Sequence, residues 1–173
     1  MTLLKKLPLA LLIVAAPLAA HEEDEVTVTN EMELPADATW KHSYDVIPGE
    51  KGEENAGLAR AAAFYRIMED HGVEAERVQI AVVVHGPAIY DVVKDARYAE
   101  KYGLDENDEP IRNPNFNTIA ELAARGAEIW VCGVAAKALG VGNDDLLEGV
   151  KMAPAAMVAN AELQRRGFTL NPY

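Results

Sequence analysis

Val78-Gln79-Ile80-Ala81-Val82-Val83-Val84 is β-branched and apolar almost without a break. A short run of this kind, with no polar side to show to water, reads as a strand buried on both faces. Such a strand sits inside a parallel sheet with helices above and below it, so helices and strands should alternate around it. His85-Gly86-Pro87 ends the run sharply.

The alternation continues in both directions. Upstream, Asn55 is placed to cap a helix over 55–71, and Gly72 stands where a helix C-terminus favours a left-handed residue. Leu58, Ala61, Ala62, Tyr65 and Met68 follow the helical repeat and form one apolar stripe, widened by Phe64 and Ile67. Before it, 39–47 reads as a strand closed by Pro48-Gly49. Downstream, a short helix is expected over 89–101, then a polar loop over 103–115. A second amphipathic helix over 115–125 carries Phe116, Ile119, Leu122 and Ala123 on one side and stops at Gly126. A second buried strand, 127–132, breaks at Gly133. The last third repeats the theme: a helix over 134–139 closed by Gly140, a short strand over 149–152, a helix from Pro154 to Arg166 stopped by Gly167, and a strand over 168–170. The predicted fold is α/β, three-layer, with a mainly parallel sheet and helices on both faces. There is no internal repeat.

The chain has 173 residues, half of them apolar, with 16 Lys+Arg against 28 Asp+Glu and a formal net charge of -12. This is enough for one domain with a real core. One cysteine excludes an internal disulfide framework and every multi-cysteine zinc or iron–sulfur site. The acidic balance argues against nucleic acid, because affinity for phosphate backbones comes from Lys and Arg.

Residues 1–20 read as a cleaved secretory signal. Lys5 and Lys6 precede the charge-free run 7–20, which ends in the small residues of Pro17-Leu18-Ala19-Ala20. The run is shorter than the roughly 20 residues of a spanning helix and is interrupted by Pro8 and Pro17. No cysteine sits at the boundary to carry a lipid. The expected location is therefore the periplasm, with no membrane contact after cleavage. The mature chain keeps 14 basic and 28 acidic residues, a charge of -14. Residues 21–38 read as an acidic, poorly ordered lead-in, and 39–173 as a single domain.

In open α/β sheets the ligand crevice lies beyond the carboxyl ends of the strands. Two strands end there in chemically capable residues, His85 and Cys132. Cys132 stands between a strand and the start of a helix, where free N–H groups favour a thiolate. A thiolate there attacks sulfur and carries a persulfide. The bland alternative is a small buried residue finishing a strand. Export sharpens the choice, since an unpaired exposed thiol is a liability in an oxidising compartment. His85 is a proton acceptor or a satisfied structural residue; with Cys132 it makes a pair suited to thiolate activation. Spacing nominates no Asp or Asn to orient the imidazole. Asp105-Glu106-Asn107-Asp108-Glu109 resembles a calcium loop, but Pro110 stands where the glycine belongs. Trp40 and Trp130 read as packing residues. His21, as a new N-terminus, offers an amine and a ring for copper.

The pattern resembles the DsrE/DsrF-like, or YchN-like, sulfur-handling family, in its exported, signal-peptide-bearing branch. The resemblance runs from about Trp40 to Pro172. It is carried by the stretch 80–88, the Asn113-Pro114-Asn115 turn, the stretch 126–133 from Gly126 to Cys132-Gly133, and the tail from Gly149 through Leu163-Gln164-Arg165-Arg166-Gly167-Phe168. It implies a flavodoxin-like layered fold, assembly into homotrimers or hexamers, and sulfur transfer through a cysteine persulfide where the active cysteine is present. Carried onto this chain, the cysteine is Cys132 and His85 lines the same crevice. The segment 104–112 looks like an added loop.

Three functions stay open. The first is a periplasmic carrier of sulfane sulfur: Cys132 accepts sulfur from a donor protein or small sulfur compound, His85 tunes its protonation, and Gly86, Gly133 and Val134 line the sulfur's position through their backbone. The second is a non-catalytic oligomeric accessory protein that keeps the fold. The third, metal binding through His21, trails both. No cofactor is expected.

Overall fold

The computed structural model describes residues 27–171, apart from residue 36. The expected leader, His21 and the acidic run 22–25 lie outside the described residues. The chain divides into Met1–Met32 and Glu33–Tyr173. Among the described residues all helices and strands lie in the second unit. There Leu34 packs against the core and Arg77 Nη1 donates to the Asp37 carbonyl at 2.8 Å, so the end of the lead-in is tied down.

Five strands form one fully parallel sheet: β1 (Trp40–Val46), β2 (Val78–Val84), β3 (Glu128–Cys132), β4 (Val150–Ala153) and β5 (Thr169–Asn171). Their order is β4-β3-β2-β1-β5. The sequence from Val78 to Val84 is thus the central strand, and its near-continuous apolar character follows from burial on both sides.

The helices are α1 (Ala56–Asp70), α2 (Asp95–Tyr102), α3 (Phe116–Ala124), α4 (Gly133–Leu139) and α5 (Ala156–Arg165). Right-handed crossovers determine which face each covers. The chain steps from β1 to β4 in one direction, which sets α1, α3 and α4 on one face. It then returns across the whole sheet from β4 to β5, which sets α5 on the other. The two cores follow this division. One gathers Leu58, Tyr65, Ile80, Val82, Ile129 and their neighbours. The second is smaller: Ala81, Val83 and Ala153 of the sheet meet Ala159 and Leu163 of α5, with Phe168 and Trp130 beside them. Small sheet residues on that side let the lone helix approach closely.

Asn55 caps α1 as expected: its side-chain oxygen accepts from the Gly57 and Leu58 N–H groups at 2.9 and 3.3 Å. The expected single helix over 89–101 is not formed. A 3-10 turn runs over Gly86–Val92, the chain extends at Val93 and Lys94, and α2 begins only at Asp95. Ala88 to Val93 are all buried, so this tight turn is wedged into the core and cannot keep the polar face of an amphipathic helix. Pro154 lies ahead of α5, whose first helical residue is Ala156.

Candidate functional site

The carboxyl ends of β1, β2 and β3 bring three chemically active residues together. Register pairs Asp45 with Val83 and Val84 with Val131. Extended by one residue, that register puts the backbone of His85, just past the end of β2, level with Cys132 at the end of β3. Side chains alternate across a strand, so His85 shares the face of Ala81 and Val83, and Cys132 that of Trp130. This is the α5 face. Asp45 lies on it as well, and His85 Nε2 stands 3.1 Å from Asp45 Oδ2. The other carboxylate oxygen takes a bond from Asn160 Nδ2 of α5 at 3.4 Å. The result is a row of three strand ends in which the Asp45 and His85 side chains touch and Cys132 finishes the next strand.

The members of this row differ in exposure. His85 and Asp45 side chains are 39% and 37% exposed, whereas Cys132 is 8% exposed. Cys132 is a free thiol at the cap position of α4, and its side chain makes no capping bond. α4 has only seven residues, so the field at its start is that of a single turn or two.

The expected backbone contributors take distinct positions. Gly133 opens α4 against β4: a Cβ there would stand 2.6 Å from the Ala153 carbonyl oxygen. Only glycine lets the chain turn from β3 into α4 at this distance. Gly86 has φ +55°, a left-handed conformation that starts the 3-10 turn directly after His85. The Val134 side chain is exposed. Its backbone N–H lies in the first turn of α4, on the same strand-end side as Cys132.

Two recesses flank the row. A cleft of about 430 Å³ beyond β1 is lined by Asp45, Pro48, Gly49, Glu53, Asn55 and Arg60. On the other side an apolar recess of about 160 Å³ lies under α5 between Trp130, Met152, Ala153, Val158 and Leu163. Neither has Cys132 or His85 in its wall.

Beneath the first cleft runs a buried polar network that sequence reasoning missed. Asp91, 1% exposed, accepts from the Gly49 N–H at 3.0 Å and from Asn55 Nδ2 at 2.7 Å. Asn115 Oδ1 accepts from the Asn55 N–H, and Asn113 donates to the Asp91 and Val93 carbonyls. Burial pushes the Asp91 carboxyl up, against the opposing pull of the Gly49 and Asn55 hydrogen bonds. The network fixes the 47–55 loop to the 3-10 turn. The one sequence signal for it is the Asn113-Pro114-Asn115 turn.

The acidic loop folds on itself, with Asp105 Oδ1 accepting from the Asn107 and Glu109 N–H groups. Among the described residues no group of three or more His, Cys, Asp or Glu is arranged to hold a metal ion. None of the described helices is long and apolar enough to cross a membrane.

Comparison with known proteins bears on the whole of this sheet. The model of the DsrE/DsrF-like family matches residues 44–172. No curated protein sequence matches the chain. Among solved structures, a protein of unknown function from Methanobacterium thermoautotrophicum, MTH1491, superposes with a TM-score of 0.55 at 17% identity, covering 76% of this chain and 97% of its own. The YchN protein of E. coli superposes with a TM-score of 0.52 at 14% identity, with the same 76% and 97% coverage. At these identities the likeness is one of fold.

Proposed function

The chain belongs to the DsrE/DsrF-like family, and from that premise we propose that it binds and relays sulfane sulfur through a persulfide on Cys132. The reading extends to an exported, periplasmic protein that works as a homotrimer or hexamer, with a donor and acceptor that are either proteins or small sulfur compounds.

What supports the proposal is the place of Cys132 at the carboxyl end of β3, one strand away from the Asp45–His85 pair at the ends of β1 and β2. His85 takes the proton from the Cys132 thiol. The thiolate attacks the outer sulfur of a donor persulfide; the Cys132 S–S bond forms as the donor S–S bond breaks, and the donor leaves as its thiolate. Delivery is the same exchange in reverse, with an acceptor thiolate attacking the outer sulfur. No electrons are gained or lost overall, so a single cysteine suffices and no resolving partner is needed. N–H groups of Gly133 and Val134 are the donors nearest in sequence for steadying the terminal sulfur anion.

A second reading, a non-catalytic accessory protein that keeps the fold, draws on the low exposure of Cys132. Mass spectrometry separates the two. Mature protein incubated with a low-molecular-weight persulfide gains the mass of one sulfur atom in the relay reading, and a Cys132→Ser variant gains none. A parent protein that takes up no sulfur under conditions that persulfidate free cysteine leaves the accessory reading.

A further inference from the structure

We infer that residues 47–54 form a pH-sensitive strap, closed onto the 3-10 turn through one oxygen of Asp91 and released as the solution passes from acid to alkali. The inference goes beyond the relay and needs nothing from Cys132. The segment joins β1 to α1 past the carboxyl end of β1. It is tied down through side chains: the Gly49 N–H donates to Asp91 Oδ2 at 3.0 Å, and the Gly52 N–H donates to the Tyr98 hydroxyl at 3.0 Å. Asn55 Nδ2 donates to the Ile47 carbonyl at 2.8 Å and to the same Asp91 oxygen at 2.7 Å, so one atom secures both ends. Asn55 itself belongs to α1, whose Gly57 and Leu58 N–H groups it caps, and its own N–H is bonded to Asn115. None of residues 47–54 is buried. Lifting them gives up a few hydrogen bonds that water replaces and exposes little apolar surface, the conditions for local opening. The same residues wall the cleft of about 430 Å³ beside Asp45, so release of the strap reshapes that cleft.

The surroundings of Asp91 make this closure depend on pH. Its side chain is 1% exposed, and the cleft above it is lined by Asp45 of β1 and by Glu50, Glu53 and Glu54 of the strap. From α2 come Asp95, which holds the Asn113 N–H, and the phenols of Tyr98 and Tyr102. The 113–115 turn presents the neutral amides of Asn113 and Asn115. The bases nearby are engaged elsewhere or face water. Arg97 and Lys101 lie over the Tyr90 ring, and Lys94 donates to the Asp144 carbonyl. Lys51, Arg60, Arg112 and, from α4, Lys137 are exposed. None of the ion pairs among the described residues includes Asp91. An ionised Asp91 under a closed strap is therefore a buried charge with neutral donors and no cation. Burial outweighs the pull of the Gly49 and Asn55 bonds and raises the carboxyl from its ordinary value. With its proton on Oδ1, Asp91 still accepts both bonds at Oδ2, so the strap stays shut in acid. Once ionised, the group is relieved by water, which reaches it when the strap lifts. The closed state is thus favoured below the raised value and weakens as pH climbs through it.

The test is amide hydrogen exchange in the full mature chain from acid to alkali, each rate taken relative to an unstructured chain at the same pH. Protection of the Gly49 and Gly52 amides falls as pH rises, by up to about tenfold per pH unit. At every pH it stays at least about a hundredfold below that of Val82 in the central strand, which exchanges by unfolding of the whole domain. Asp91→Asn keeps an oxygen for both donors but has no proton to lose, so its strap amides hold constant protection over the range. A second measurement needs the parent alone, should the variant fail to fold. The side-chain carboxyl carbon of Asp91, followed by NMR, titrates over the same pH window in which Gly49 protection is lost. Gly49 protection that stays constant through that titration overturns the inference. So does a loss that Asp91→Asn reproduces, or equal protection at Gly49 and Val82, which is domain unfolding rather than release of a strap.

Discussion

Gly133 has the least freedom of any residue near the candidate site. With 2.6 Å between its would-be Cβ and the Ala153 carbonyl oxygen, the neighbour is backbone in a paired strand and cannot swing aside. Gly133→Ala therefore pushes α4 away from β4, at a cost of about 2 kcal/mol, read as a lowered midpoint in chemical denaturation. An unchanged midpoint would mean that β4 yields more easily than a paired strand should. Asp91 has the opposite character: it fits well but is electrostatically expensive. Its folded-state carboxyl holds its proton to higher pH than the unfolded one, so Asp91's own contribution to stability falls as pH rises from the ordinary carboxylate range through the raised value. Asp91→Asn keeps one oxygen that can accept from both Gly49 and Asn55, so it flattens that decline and stays close to the parent in acid. Denaturation midpoints of parent and variant measured across that pH range test the sign: a parent whose stability relative to Asp91→Asn rises over the same window contradicts it.

Among the elements, α5 carries the most responsibility alone. The opposite face is shared by three helices, but this one depends on α5 and its single buried leucine at Leu163, 1% exposed. Leu163→Ala should cost about 3 kcal/mol and raise hydrogen exchange in β4 and β5 ahead of β1. Met157→Ala, at an exposed position of the same helix, stays within about 0.5 kcal/mol of the parent. Elements were largely legible because their signals are local. The run from Val78 to Val84, the Asn55 cap and the glycine stops are each contained within a few residues. The misread element was the one over 89–101. There seven residues of a buried 3-10 turn show a period too close to that of an α-helix to be told apart, and Asp91 reads as a solvent residue while lying in the core. Asp45 stayed hidden for a different reason. Forty residues separate it from His85, and only the parallel register of β1 and β2 makes them neighbours. That register is a property of the sheet, not of any window in the chain.

At the scale of the whole molecule, the strand order is what assembles the candidate site. Placing β1, β2 and β3 side by side, all pointing the same way, gathers Asp45, His85 and Cys132 at one edge. His85 and Cys132 were readable as strand-end residues, but their adjacency was not, because strand order does not show in sequence. The trimer or hexamer proposed for this family member predicts a light-scattering mass of three or six chains for the mature protein; a monomeric mass contradicts that assembly without touching the chemistry. The chemistry is most directly tested by cyanolysis. Protein loaded with sulfur, freed of donor and treated with cyanide should release one equivalent of thiocyanate per chain as Cys132 returns to its thiolate, and the Cys132→Ser protein should release none. Thiocyanate absent from the loaded parent, or released equally by the variant, would contradict a sulfur carrier at this strand end.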